Sequence, residues 1–171
     1  MAAVIHLTTE RLILRDWQAS DLDAWAAINA DAEVRRYLGD GTPVERKDAW
    51  HMTAVAAGNQ ALLGFGMWAA ALRESGELIG RIGLYQPPHF PDLEVNWLLG
   101  RAWWGRGLAH EGAVACIDHA FTRVGRATVS AFVAAGNERS IRLAQRLGMA
   151  KVGEPWPGVH QLQRRRDSQV G

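Results

Sequence analysis

A mixed α/β domain built on one mostly antiparallel sheet is the fold class this sequence predicts, on three observations. Strand-like and helix-like patterns follow one another in the order β-α-α-β-β-β-α-β-α-β, with a possible last β. That order contains an antiparallel hairpin and one strand-helix-strand crossover, and neither a repeat nor a linker divides it. Finally, 171 residues of which 48% are hydrophobic suit a single domain over residues 1–171 with a full-sized core.

Arg11 to Arg15 alternates as a first strand behind a short amino-terminal arm. Asp16, Ser20 and Asp21 offer caps for a helix through Leu22, Trp25, Ala26 and Ile28 to Asn29, whose spacing makes one apolar face. After the turn around Gly39 to Pro43, a second helix is predicted from Val44 to Ala57, with Pro43 suited to its first position and Gly58-Asn59 ending it. Leu62 to Leu72 and Leu78 to Tyr85 read as two strands joined across the polar turn Arg73 to Glu77. A Pro-rich loop, Gln86 to Asp92, leads to a strand from Leu93 to Leu99. From Leu108 to Val124, Ala113, Ile117, Ala120, Phe121 and Val124 recur at helical spacing. Ala127 to Ala134 alternates as a strand, Asn137 caps a helix to Leu147 that Gly148 stops, and Met149 to Gly153 begins a further strand. Val159 to Gln163 makes a short last strand, and 164–171 a solvated, flexible tail.

Composition excludes several function classes. A formal net charge of +1 gives no reason to expect nucleic acid as a partner. Met1 to Leu7 lacks the basic and apolar regions of a secretory signal, and Leu62 to Leu72 is too short and glycine-broken to span a bilayer, so a cytoplasmic protein without a membrane partner is expected. The lone Cys116 sits within an apolar helical pattern and reads as a buried, inert thiol. His6, His51, His119 and His160 have no partner at ligand spacing, so no metal is expected. Gly64 to Ala69 fits the dinucleotide fingerprint Gly-x-Gly-x-x-Ala, but it lies in a strand-like run with no helix after it, where the glycines suit close strand packing or a bulge.

The most informative segment is Trp103-Trp104-Gly105-Arg106-Gly107-Leu108-Ala109, where a strand gives way to a helix. Two glycines there allow a tight turn and close backbone approach, and the helix start aims unpaired N–H groups at an anion. It reads as a pyrophosphate seat. A second polar helix start follows about thirty residues on, Asn137 to Met149. Arg101, Arg106, Arg123, Arg126, Arg139, Arg142 and Arg146 gather on or near the two segments, within reach of a ligand with several phosphates.

Together the segments resemble the acyl-CoA-binding motifs of the GCN5-related N-acetyltransferase (GNAT) superfamily. Trp104-Gly105-Arg106-Gly107-Leu108-Ala109 is similar to its Gln/Arg-x-x-Gly-x-Gly/Ala phosphate loop, with Trp104 in the first position removing one polar side chain. Asn137-x-x-Ser140-x-x-Leu143-x-x-Arg146-Leu147-Gly148-Met149 is similar to its second motif, and the opening Thr9-Glu10-Arg11-Leu12 looks like the branch holding the ribosomal-protein N-terminal acetyltransferases. The resemblance implies a central sheet whose strands around Asn96–Leu99 and 127–133 splay into a slot for acetyl-CoA. Backbone groups of Leu98 and Leu99 would meet the pantetheine and the acetyl oxygen. N–H groups of Arg106, Gly107, Leu108, Ala109 and His110 would hold the pyrophosphate, Asn137 and Ser140 would face the sulfur end, and Arg142 a CoA phosphate. Tyr37 and Leu38 fall where the family shapes its acceptor site.

Amine attack on a thioester needs a neutral nucleophile, relief of charge on the carbonyl oxygen and a way for the thiolate to leave. A preset backbone N–H supplies the second, a term of roughly 3 to 4 kcal/mol per donor. No covalent intermediate is expected, in keeping with the lack of a Gly-x-Ser-x-Gly elbow or a Cys-His pair. Glu94 is the candidate base, with the alternative of a strand-end carboxylate in solvent; His89, Asp92 and Tyr85 are further candidates. Ser140 is the candidate donor to the leaving sulfur, though capping alone also explains Asn137 and Ser140. Trp17, Trp25 and Trp50 are expected to pack helices onto the sheet, and Trp68 and Trp97 are candidates for the acceptor pocket. The leading expectation is acetyl-CoA-dependent transfer to a primary amine. The acceptor is a peptide or protein amino terminus, or a small amine such as a polyamine, amino acid or antibiotic. The rival from another class is a non-catalytic acyl-CoA sensor. Because the chain after Gly153 looks too short for a full acceptor-site wall, a homodimer is expected.

Overall fold

The structure, a computed structural model, describes residues 3–166. Its elements are β1 (Ile5–Thr8), β2 (Leu12–Arg15), α1 (Leu22–Ala30), α2 (Ala32–Arg35), α3 (Arg46–Leu63), β3 (Met67–Leu72), β4 (Leu78–Tyr85), β5 (Glu94–Leu99), α4 (Leu108–Thr122), β6 (Thr128–Ala134), α5 (Glu138–Arg146), β7 (Ala150–Trp156) and β8 (Val159–Arg165). Eight strands form one sheet in the order β1-β2-β3-β4-β5-β6-β8-β7. Every neighbouring pair is antiparallel except β5 with β6.

Alternation along the strands divides the side chains between two layers. Leu12, Leu14, Ile82, Val95, Leu99, Val129, Ala131 and Val133 pack against the apolar faces of α4 and α5. Ala69, Leu78 and Leu98 pack on the other side with Trp25, Val34 and Ala49 of α1–α3. Each large aliphatic side chain so buried contributes about 1.5–3 kcal/mol. At the entry to α1, Arg15 and Asp21 form a buried two-pronged ion pair at 2.7 and 2.8 Å. Asp21 therefore anchors β2, and its side chain accepts no N–H of α1.

Several expectations are corrected. The amino-terminal arm contains a strand, β1, because it pairs with β2. The second helix starts at Arg46 rather than at Val44 and runs through Gly58 to Leu63, so Leu62 and Leu63 are helical, not strand. Its end is Gly64, whose φ of 75° is the left-handed conformation that glycine adopts without a Cβ penalty. Gly64 is thus a helix C-cap, and the glycines of the fingerprint-like run do not share one role. The last strands are longer than expected: Arg164 and Arg165 belong to β8, Arg164 donates to Leu147 O and Arg166 to Phe121 O. The remainder of the expected tail, 167–171, lies outside the described residues. β7 tolerates Pro155 because it is the sheet edge, where no ladder partner needs that N–H. Among the described residues no helix is long and apolar enough to cross a membrane, and no group of three or more His, Cys, Asp or Glu is placed to hold a metal.

Candidate active site

β5 and β6 share a single register pair, Glu94 with Ser130, where Ser130 N–H donates to Leu93 O at 2.8 Å. Beyond it the two strands part, opening a slot whose β5 wall has no ladder partner on that side. Backbone groups alternate in direction along a strand. Leu93 O points toward β6, Leu99 O accepts from Trp104 Nε1 at 2.8 Å, and Gly100 N–H donates to Ile79 O on the β4 side. Odd-numbered residues of β5 therefore present backbone to the slot and even-numbered ones to β4. Leu99 keeps its N–H toward the slot, whereas the expectation for Leu98 passes to Trp97: Leu98 lies in the ladder opposite Arg81.

At one end of the slot the loop before α4 holds two left-handed glycines, Gly105 at φ 74° and Gly107 at 76°. The N–H groups of Leu108, Ala109 and His110 take no partner among the described residues. Leu108 buries its side chain, so backbone is what it offers a ligand. The loop is clamped from behind by the opening motif. Glu111 accepts from Thr9 Oγ1, Arg11 N–H and Arg11 Nε at 2.5, 2.8 and 2.7 Å, and Arg11 Nη1 reaches Arg106 O at 2.9 Å. Burial alone would raise the Glu111 pKa, but these donors outweigh it and hold the carboxylate below its ordinary range. Sequence reasoning missed this clamp, since Arg11 and Glu111 lie a hundred residues apart; the carboxylate in the first turn of α4 was its only signal. Arg106 stacks on Trp103 at 4.8 Å and Arg139 on Trp104 at 4.2 Å, tying α5 to the same loop.

At the sulfur end expected from the motif, Asn137 caps α5 by accepting Ser140 N–H at 3.2 Å. Trp97 Nε1 donates to Ser140 Oγ at 3.4 Å, which leaves the serine proton free to point elsewhere. Arg142 pairs with Glu138 on the exposed face of α5 and, with Arg139, Gln145 and Arg146, borders an open cleft of about 460 Å³. Of the other arginines, Arg101 pairs with Asp31 and Arg126 with Gln86, away from the loop.

Glu94 opens on the opposite face, the one covered by α1–α3. It is buried, not a strand-end carboxylate in solvent, and desolvation lifts its pKa to about 7 against the opposing effects of Asn96 Nδ2, donating at 2.9 Å, and of Arg81. Asp92 is occupied, accepting from Ser130 Oγ, Gln163 Nε2 and Thr128 Oγ1 at 2.8, 3.1 and 3.2 Å, and so ties the closed end of the slot to β8. Tyr85 faces Glu94 across the ladder, and His89 is exposed beside Phe90. Trp68 is corrected away from the acceptor pocket: it stacks on His6 and meets His119 edge-on, on the α4 side. Trp97 lies on that side too, beside Ser140. Trp50 is half exposed and does not pack its helix down. Tyr37 borders the backbone of Gly136 at the mouth of the slot, while Leu38 joins the α1–α3 layer. Cys116 is buried and its thiol pKa is pushed up by burial.

The Acetyltransferase (GNAT) domain matches residues 11–150. Over 149 residues the chain is 31% identical to a Bacillus subtilis (strain 168) protein named Uncharacterized N-acetyltransferase YoaA, covering 86% of this chain and 84% of that one. It is 28% identical over 155 residues to YkkB of the same organism, covering 87% of each. An acetyltransferase crystal structure from Agrobacterium tumefaciens str. C58 superposes with a TM-score of 0.84 at 30% identity, covering 97% of this chain and 95% of that one.

Proposed function

This chain belongs to the GNAT acetyltransferase family, and from that premise we propose that it transfers an acetyl group from acetyl-CoA to a primary amine by direct attack in a ternary complex. The observation that carries the reading is the parting of β5 and β6 immediately after Glu94: a carboxylate with a pKa near 7 stands where a slot edged by unpaired backbone begins, with the Ser140 hydroxyl against the Trp97 indole on the other face of β5.

The residues present fit acetyl-CoA, which when bound supplies an activated acetyl thioester. The free N–H groups of the Arg106–His110 segment suit its pyrophosphate, the slot-facing backbone of Trp97 and Leu99 suits pantetheine amides, and Arg142 suits a phosphate. As the amine nitrogen bonds to the acetyl carbon and the carbon–sulfur bond breaks, Glu94 takes one amine proton. Ser140 gives its hydroxyl proton to the departing sulfur and is reprotonated from solvent. The first reading of the acceptor is a peptide or protein amino terminus, by resemblance of the opening motif. The enzyme is read as cytoplasmic. The reading includes a homodimer, expected from the length of the chain after Gly153; within one chain that segment forms the β7–β8 hairpin, and a monomer mass in solution scattering would count against the dimer.

Acetyl-CoA calorimetry tests the seat. The parent protein is expected to bind, and Gly107→Glu, which forces a negatively charged side chain onto a left-handed position in the phosphate seat, is expected to weaken binding at least about a hundredfold through strain and like-charge repulsion of the phosphates. No binding by the folded parent overturns the reading.

A further inference from the structure

The floor of the acceptor side contains polar groups that the protein itself leaves unmet. Arg81 makes no side-chain hydrogen bond or ion pair with any described residue, and its Nε is buried without a partner. Its guanidinium lies over the Trp25 ring at 5.7 Å. Asn96 spends its Nδ2 on Glu94 and leaves Oδ1 buried and unpartnered. These residues share a face, because Arg81 pairs with Leu98, Gly83 with Asn96 and Tyr85 with Glu94. Arg81 and Glu94 therefore stand two register steps apart, about 13 Å between backbones, with only Gly83 and Asn96 between them. Their side chains narrow that distance without forming an ion pair. A buried donor or acceptor without a partner costs about 1–3 kcal/mol, and more when charged, so a floor holding two such groups is complementary to something absent.

Across the slot, Phe132 of β6 falls on the same face as Ser130 and hence as Glu94. It meets Trp156 and Phe90 at 5.1 Å each, and Phe90 meets Trp156 at 5.0 Å and Tyr85 at 5.5 Å. Phe132 thus shares a face of the sheet with Arg81, and Arg35 of α2 adds a second positive charge near Arg81.

We propose that the acceptor is an α-amino compound with an apolar side chain: its amine meets Glu94 and Asn96 Oδ1, its neighbouring carboxylate or carbonyl oxygen meets Arg81, and its side chain lies on the Phe90–Phe132–Trp156 wall. Arg81 is then the group that selects the acceptor, since a guanidinium binds a carboxylate or carbonyl oxygen and repels a polycation. The inference rests on the acetyl transfer proposed above and chooses among its acceptors.

The test compares kcat/KM for L-phenylalanine, a peptide beginning with phenylalanine, L-alanine, 2-phenylethylamine and spermidine. Either phenylalanine compound is expected to exceed 2-phenylethylamine and spermidine at least about a hundredfold, because a site built to pair a polar group rejects the analogue lacking it. L-Phenylalanine is expected to exceed L-alanine about tenfold or more, as apolar contact in a pocket allows. Preference for the free amino acid over the peptide identifies a carboxylate at Arg81, the reverse a peptide carbonyl. Arg81→Gln is expected to collapse the preference over 2-phenylethylamine to within about threefold, with Arg81→Lys restoring part of it and unchanged acetyl-CoA affinity reporting an intact fold. Equal turnover of 2-phenylethylamine or spermidine by the parent overturns the inference while leaving the acetyltransferase reading standing; so does Arg81→Gln slowing all acceptors alike. Acetyl-CoA binding with no turnover of any amine overturns both.

Discussion

Glu94 keeps its proton into the neutral range because it is packed under α1–α3 with one amide donor for company. As a base it must be ionised, so kcat/KM is expected to rise with pH and level off above about 7. Glu94→Gln is expected to remove that limb and lower kcat about a hundredfold while acetyl-CoA affinity stays near the parent value. Unchanged turnover would take Glu94 out of the mechanism. The same burial has a stability consequence. A folded pKa raised from 4.5 to about 7 means that the folded state holds the proton more tightly, so stability declines as pH rises through that window. Glu94→Gln should therefore stabilise the protein at pH 8, by on the order of 3 kcal/mol at most, with the gain fading toward pH 4.5 in a thermal melt. Ser140 separates its two readings in a similar way. The cap is made by the Asn137 side chain to the Ser140 backbone, so Ser140→Ala keeps it. The variant is expected to lose about tenfold or more in kcat with an unchanged melting temperature; an unchanged kcat would leave Ser140 with its backbone part in the cap alone.

At the scale of elements, α3 shows packing overriding a local breaker. Gly58 lies inside the helix with open space where a Cβ would stand, no atom coming within 4 Å, and neighbours such as Thr53 and Ala56 are buried against the sheet layer. An interior glycine costs about 0.5–1 kcal/mol, less than that burial returns. Gly58→Ala is therefore expected to stabilise the protein by about 0.5–1 kcal/mol in denaturant titration, and destabilisation would show that the helix needs flexibility there. The first turn of α4 works through the opposite kind of element pairing. Its N–H groups stay free for a ligand because the Arg11–Glu111 clamp, and not a capping side chain, holds the loop before it.

For the molecule as a whole, the slot divides the sheet. Six strand pairs are laddered along their length and β5–β6 is joined at one point, reinforced by Asp92 and Ser130 at the closed end. A ligand lying along the slot joins two halves that otherwise touch the ladder of only one neighbour. At a hundred times its Kd, acetyl-CoA is expected to add about 2.7 kcal/mol, a rise of roughly 5–10 °C in melting temperature, that Gly107→Glu abolishes. No rise at that concentration would mean that acetyl-CoA does not bind the folded protein in preference to the unfolded chain.

Local signals were readable in the amino-acid sequence because they depend on neighbours a few positions away: the glycines before α4, the Asn137 cap, the strand alternation and the buried Cys116 all belong here. From them came the element order and the glycine loop proposed as the phosphate seat. Three-dimensional packing alone decided which backbone groups of β5 face the slot, that Trp68 lies on the far side, that Arg11 clamps Glu111, and that Arg81 Nε and Asn96 Oδ1 are buried without a partner among the described residues, on the face that carries Glu94. The physical reason is one of distance along the chain. Burial, pKa and hydrogen-bond satisfaction depend on which distant segments share a face, and a one-residue change in strand register would reverse every one of them.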